Sequence, residues 1–166
     1  LLFNNAGIVL HKSAYDVTPE EWAKVINVNL NGEYYMASEF ARYLKGKRKK
    51  GAICNTASMS GHIVNWPQEQ ASYNASKAAV IQMTKSLAVE YCKDGIRVNC
   101  ISPGYMYTEL TCHVNPDWQE RWMDLTPYGR YGKPEELCGA VIYLLSDSAS
   151  FTSGTDIVVD GCFTAV

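Results

Sequence analysis

The chain has 166 residues, 47% of them hydrophobic and 19% charged, with a formal net charge of −2. This is the composition of one globular domain with enough apolar material for a core, and it excludes a disordered segment. The slight negative balance argues against nucleic acid as a partner, and no apolar run approaches the ~18 residues of a membrane-spanning helix.

In chain order, Leu1–Phe3 reads as a strand remnant leaving through Asn4-Asn5-Ala6-Gly7, a turn-rich exit. A chain that begins in mid-strand, with no methionine or polar lead-in, is expected to lack its N-terminal part. Thr18-Pro19-Glu20-Glu21 is a helix start: Thr18 caps, Pro19 takes the first position and Glu21 closes a capping box. That helix runs through Trp22, Val25 and Ile26, past a polar interruption at Asn27–Asn31 and Gly32, to Tyr43-Leu44. Lys45 to Lys50 holds five basic residues around Gly46 and reads as a solvated connection, with a nuclear-localisation signal as the minor alternative.

Ala52–Thr56 is a short apolar strand, followed by a loop carrying Gly61, Trp66 and Pro67. The next helix covers about Ser72 to Cys92, with Val80, Thr84, Leu87 and Tyr91 on one stripe, and Gly95 stops it. Ile96–Ile101 is a strand ending at Ser102-Pro103-Gly104. Asn115-Pro116 opens a short helix, Lys133-Pro134-Glu135-Glu136 another through Leu145, and Thr155–Val159 is the last strand. Strands alternating with crossovers long enough for helices predict an α/β fold with a parallel sheet, a single unit over residues 1–166.

Six cysteines (Cys54, Cys92, Cys100, Cys112, Cys138 and Cys162) are scattered with no C-x-x-C pair, which predicts reduced, mostly buried thiols in a cytoplasmic protein and no metal site. Asn74-Ala75-Ser76 matches a glycosylation sequon but falls inside a predicted helix, so it reads as accidental.

The strongest chemical signal is Tyr73-Asn74-Ala75-Ser76-Lys77. At i and i+4 on a helix, the phenol and the ammonium project from one face. A phenol holds its proton too tightly for neutral pH, and a nearby cation favours its ionised form, so the pair suits general acid–base work. Alone it is equally an exposed helix pair. Ser58 lies just past the preceding strand, Asn29 in the helix interruption, and Pro103-Gly104, with Thr108, past the next strand. Carboxyl ends of parallel strands are where such sheets collect their chemistry.

This ordered set, Asn-Asn-Ala-Gly, Asn29, Ser58, Tyr73-x-x-x-Lys77 and Pro103-Gly104-x-x-x-Thr108, resembles the short-chain dehydrogenase/reductase family over essentially the whole chain. Ser58 through Gln68 more narrowly resembles the sorbose reductases and NADP-dependent mannitol dehydrogenases. The resemblance implies the C-terminal part of a doubly wound Rossmann-type sheet with its first three strands absent. It implies hydride transfer between NADP(H), with NAD(H) as the other option, and a ketose, polyol or similar small molecule. Tyr73 would pass the proton, Lys77 would lower its pKa and hold the nicotinamide ribose, and Ser58 would donate to the carbonyl oxygen, with Ser60 as its rival. Asn29 would hold a water linking Lys77 to solvent. Asn5, Ala6 and Gly7 would border the adenine-side ribose, and Pro103, Gly104, Met106 and Thr108 the nicotinamide end. The helices from Trp22 to Leu44 and over Val80–Tyr91 would serve core and subunit interface in a homo-oligomer, dimer or tetramer.

Two departures follow. No glycine-rich pyrophosphate loop stands in this sequence, so a non-catalytic remnant serving as an interaction module is the competing reading. Cys162 occupies a position where the family usually has a second glycine. Of the remaining residues, His62, Trp66, Gln68 and Gln70 are candidates for a sugar pocket. His11 and His113 read as ordinary surface or loop histidines, and Trp118 with Trp122 as a packed helix face or a lid.

Overall fold

The computed structural model describes residues 1–166, the side chain of Leu110 excepted. Four strands, β1 (Leu2–Asn4), β2 (Gly51–Thr56), β3 (Ile96–Pro103) and β4 (Asp156–Val159), form one parallel sheet in the order β1-β2-β3-β4. Its helices are α1 (Pro19–Ile26), α2 (Glu33–Gly46), α3 (Ala71–Tyr91), α4 (Glu109–Cys112), α5 (Pro116–Leu125) and α6 (Cys138–Leu145). The predicted α/β architecture is therefore present. Successive side chains of the central strands feed opposite faces, as the pleat requires. Ile53 and Val98 pack with Ala37, Ala41 and Leu44 of α2 and Leu87 and Ala88 of α3. Cys54 and Ile101 point the other way, onto Leu144 of α6.

Element boundaries shift where non-local bonds intervene. β1 reaches Asn4 rather than ending at Phe3, because Asn4 pairs with Asn55 in the ladder and its amide donates to Asn55 Oδ1 at 2.9 Å. Asn55 in turn donates to Thr84 Oγ1 at 3.0 Å, so two asparagines buried in a sheet are satisfied across three elements. The capping box of α1 forms as predicted: Thr18 Oγ1 accepts from the Glu21 N–H, and Glu21 Oε2 from the Thr18 N–H. α3 stops at Tyr91, one residue earlier than expected; the following tight turn ends at Gly95, whose φ of 72° lies in the left-handed region that glycine enters at little cost. The segment opened by Lys133 is a tight turn over Pro134–Leu137 before α6 begins.

The long helix predicted from Trp22 to Leu44 is two helices joined by a π-helical segment, Asn27–Gly32. The widened turn lies between buried Val25 of α1 and buried Ala37 and Ala41 of α2, and Asn29 and Glu33, at four-residue steps between them, both point inward. Such widened turns cluster at functional sites. Cys162, at the glycine position, has φ 70°, so its backbone adopts the conformation that a glycine would supply. Of the six cysteines only Cys54 and Cys100 are buried, so the expectation of mostly buried thiols is not met.

Candidate active site

Because all four strands are parallel, their carboxyl ends open on one side. The exits from β1, β2 and β3 and the first turns of α3 meet there around a cavity of about 230 Å³. Ser58, Tyr73 and Lys77 line it, as do Asn5, Gly7, Pro103, Gly104, Met106 and Thr108. Ala6 does not, and neither does Asn29.

Lys77 is almost fully buried, 2% exposed. Its Nζ donates to the Thr56 carbonyl at the end of β2 and stands 3.6 Å from Glu33 Oε1 and 5.9 Å from the Tyr73 ring centre. Ser58 caps the tight turn Met59–Gly61, accepting the Ser60 N–H at 3.1 Å, and its hydroxyl pulls the Tyr73 pKa down against burial. Ser60 lies on the same wall, where Gln70 Nε2 reaches its hydroxyl at 3.4 Å. Both serines therefore face the cavity, and Ser58 is the one whose side chain acts on Tyr73. The turn rests directly on α3: a Cβ on Gly61 would lie 2.9 Å from the Ala78 nitrogen and the Lys77 carbonyl carbon.

Asn29, fully buried, accepts the Ile8 N–H at 2.8 Å, donates to the Ile8 carbonyl at 2.9 Å, and donates to Ser76 Oγ at 3.0 Å. Both its N–H donors are committed to protein, so the side chain ties the segment after β1 to α3 from behind the cavity.

Burial, more than any neighbouring charge, sets the electrostatics of the site. Burial pushes the Tyr73 pKa up; the Ser58 hydrogen bond pulls it back, and the Glu33 charge adds to the rise. Burial likewise pulls the Lys77 ammonium down, against the opposing pull of Glu33. Glu33, sealed beside them, has its carboxyl pushed up to about 8 by burial, despite the attraction of Lys77. The cation expected to serve Tyr73 thus shares its charge with a neighbour that the motif does not include.

Of the four candidate sugar-pocket residues, Gln68 and Gln70 line the cavity and His62 and Trp66 do not. Trp66 is exposed. His62 Nε2 bonds Asp156 Oδ2 at 2.6 Å, and Ser102 Oγ donates to the same oxygen at 2.7 Å, a tether from the Ser58 loop to β3 and β4. The sequence reading also passed over Asn65 and Tyr105, which line the cavity. Asn65 donates to Tyr105 Oη at 3.0 Å and accepts from Gln70 Nε2 at 3.0 Å, while Tyr105 Oη donates to Gln68 Oε1 at 3.3 Å. Tyr105 sits between the flagged Gly104 and Met106, and that position was its only signal. Trp122 packs rather than gates: it is buried, stacks on Tyr105 with ring centres 4.2 Å apart, and donates its indole N–H to Gln68 Oε1 at 2.6 Å. His11 is a loop residue, half-buried at the cavity wall, edge-on to Trp118, with its Nδ1 sealed and its pKa pulled down by burial.

This arrangement of serine, tyrosine and lysine at the carboxyl edge of a parallel sheet has counterparts in known proteins. The family description Enoyl-(Acyl carrier protein) reductase matches residues 1–164. A short-chain type dehydrogenase/reductase from Mycobacterium marinum superposes with a TM-score of 0.96 at 42% identity, over 99% of this chain and 65% of that one. The chain belongs to the short-chain dehydrogenase/reductase family. A sorbose reductase of Schizosaccharomyces pombe is 47% identical over 162 residues, 97% of this chain and 63% of the relative. An NADP-dependent mannitol dehydrogenase of Hypocrea jecorina is 45% identical over 160 residues, 96% of this chain and 59% of the relative. The chain thus spans about three-fifths of the length of these curated relatives, and the narrower resemblance read from Ser58–Gln68 holds.

Proposed function

We propose that this protein is an oxidoreductase that moves hydride between NADP(H) and a ketose or polyol, with Tyr73 as the proton-transferring acid–base. The observation that carries this reading is the convergence of Ser58, Tyr73 and Lys77 on one cavity whose far wall is a buried network of side-chain amides.

The residues present fit the nicotinamide end of the cofactor. Gly7 leaves space facing Lys77 Nζ and Asn29 Oδ1, each 3.6 Å from where its Cβ would be, and Pro103, Gly104, Met106 and Thr108 line the adjoining wall. Asn5 and Gly7, flanking Ala6, would border its ribose side. When bound, the nicotinamide supplies or takes up the hydride. The NADP preference rests on the relatives' names, with NAD(H) as the alternative in the binding measurement.

Ser58 donates to the substrate oxygen from the wall it shares with Tyr73, so both hydroxyls address one cavity. A phenol raised by burial is protonated at neutral pH and is ready to give its proton to that oxygen as a carbonyl is reduced; in the reverse direction the phenolate takes it back. The Lys77 ammonium favours the phenolate while the proton is away. Asn29 acts by position, fixing the Ile8 backbone against α3 beneath Lys77. Asn65, Gln68, Gln70 and Tyr105 present amide and hydroxyl groups to a substrate with several hydroxyls, a pattern suited to a sugar. Exposed Tyr34, Tyr35, Met36 and Tyr43 on α2, with Val89 on α3, support a homo-oligomer. Six free thiols support residence in the cytoplasm.

The test is Tyr73→Phe in the intact protein, followed by nicotinamide absorbance with ketoses. Turnover is expected to vanish while cofactor binding and circular dichroism are retained. Near-normal activity would overturn the assignment.

A further inference from the structure

Glu33 is a buried ionisable group that the reaction above leaves unused. It opens α2 directly after the π-helical segment, is 3% exposed, and has both carboxylate oxygens sealed without a hydrogen-bond partner. Its surroundings can be named element by element. From β1 comes Asn4, whose amide donates to the Glu33 backbone carbonyl rather than to its side chain. From β2 come the Thr56 backbone and the Cys54 thiol, the latter pushed up to about 12 by burial and therefore neutral. From α3 come Tyr73 and Lys77, the Lys77 Nζ at 3.6 Å being its ion-pair partner. The carboxyl faces only the Lys77 ammonium and the Thr56 backbone, and an acid so sparsely held costs more to bury than an apolar side chain of the same size, so the fold alone gives no reason for an acid here.

We propose that Glu33 is a positioning residue for Lys77: its carboxyl faces Nζ in a sealed site beside the Thr56 carbonyl, and its state of ionisation sets how much positive charge reaches the Tyr73 phenol. This rests on the acid–base reading of Tyr73 given above. As Glu33 ionises, its negative charge offsets the ammonium and holds the phenol's proton more tightly. The acid therefore weakens the Tyr73–Lys77 coupling at alkaline pH and releases it as it becomes protonated.

Two measurements test this. The first is the pH profile of kcat/KM for alcohol oxidation, which rises as the phenol ionises. Glu33→Gln, which keeps the shape, and Glu33→Met, which replaces the acid by an apolar chain, should both move the rising limb to lower pH by about one unit. Limbs coinciding with wild type within about 0.2 unit would overturn the inference. So would failure of both variants to fold, since the carboxyl would then serve the fold. Tyr73→Phe run alongside separates the two readings: if it retains turnover, the acid–base assignment fails, whereas if it abolishes turnover and the Glu33 limbs do not move, only the present inference fails.

The second measurement needs no turnover. Glu33 has a folded-state pKa of about 8, above the carboxylate range of an unfolded chain. Its contribution to stability is therefore fully present below that range and is lost as pH rises through about 8. The urea midpoint of wild type, taken relative to Glu33→Gln, should fall between about pH 5 and pH 8. A constant difference over that window would show that Glu33 ionises as an exposed acid does, and would overturn the proposal.

Discussion

Replacing Gly61 by alanine is the sharpest probe of how the Ser58 turn is held against α3. The added Cβ would stand 2.9 Å from the Ala78 nitrogen and the Lys77 carbonyl carbon, and 2.8 Å from Ile81 Cδ1. Ordinary contact begins at 3.4 Å, so the turn and the helix backbone must separate by about 0.5 Å. The isoleucine methyl can rotate away, whereas the two backbone atoms belong to a continuous helix and cannot. Overpacking of this kind costs about 1–3 kcal/mol. The functional loss should be larger in proportion, because Ser58 moves with the turn while Tyr73 and Lys77 stay with α3. A 1 Å misplacement at a reacting centre costs about a hundredfold, so half of that predicts roughly a tenfold fall in kcat/KM. The assay is nicotinamide absorbance with a ketose, paired with urea unfolding of the same preparation. Activity within twofold of wild type together with an unchanged midpoint would refute the claim that this contact sets the Ser58–Tyr73 geometry.

Asn29→Ala should destabilise the protein by about 1–3 kcal/mol in urea, since it strands the Ile8 N–H and carbonyl in a partly buried position; an unchanged midpoint would mean that water replaces the amide. Trp122→Phe keeps an aromatic ring against Tyr105 but removes the donor to Gln68. It should raise KM for a polyol severalfold while leaving kcat within about twofold, and a fall in kcat with constant KM would place Trp122 in the chemical step instead.

Much of this molecule is written locally. Thr18, Pro19 and Glu21 announce the start of α1 because a cap and its partner lie within one turn of each other. Tyr73 and Lys77 meet because residues four apart on any helix share a face. Ser58 and Pro103-Gly104 could be placed at strand ends because alternation of strand and helix patterns implies parallel strands, whose carboxyl ends fall on one side. What no local pattern could supply are the partners. Asn29 was legible as an amide in a helix break, but its tie to Ile8 and Ser76 exists only once β1 and α3 lie side by side. Asn65 and Tyr105, forty residues apart, share a hydrogen bond because the β2 and β3 exits converge, and His62 leaves the cavity because Asp156 on β4 captures it. Glu33 is the clearest case. By spacing it falls on the buried stripe of Ala37 and Ala41, where only an apolar side chain would be expected; the strand order is what brings Lys77 to meet it. Caps, periods and strand ends depend on neighbours within a few residues, whereas the charge on a buried acid depends on which distant groups the folded chain places around it.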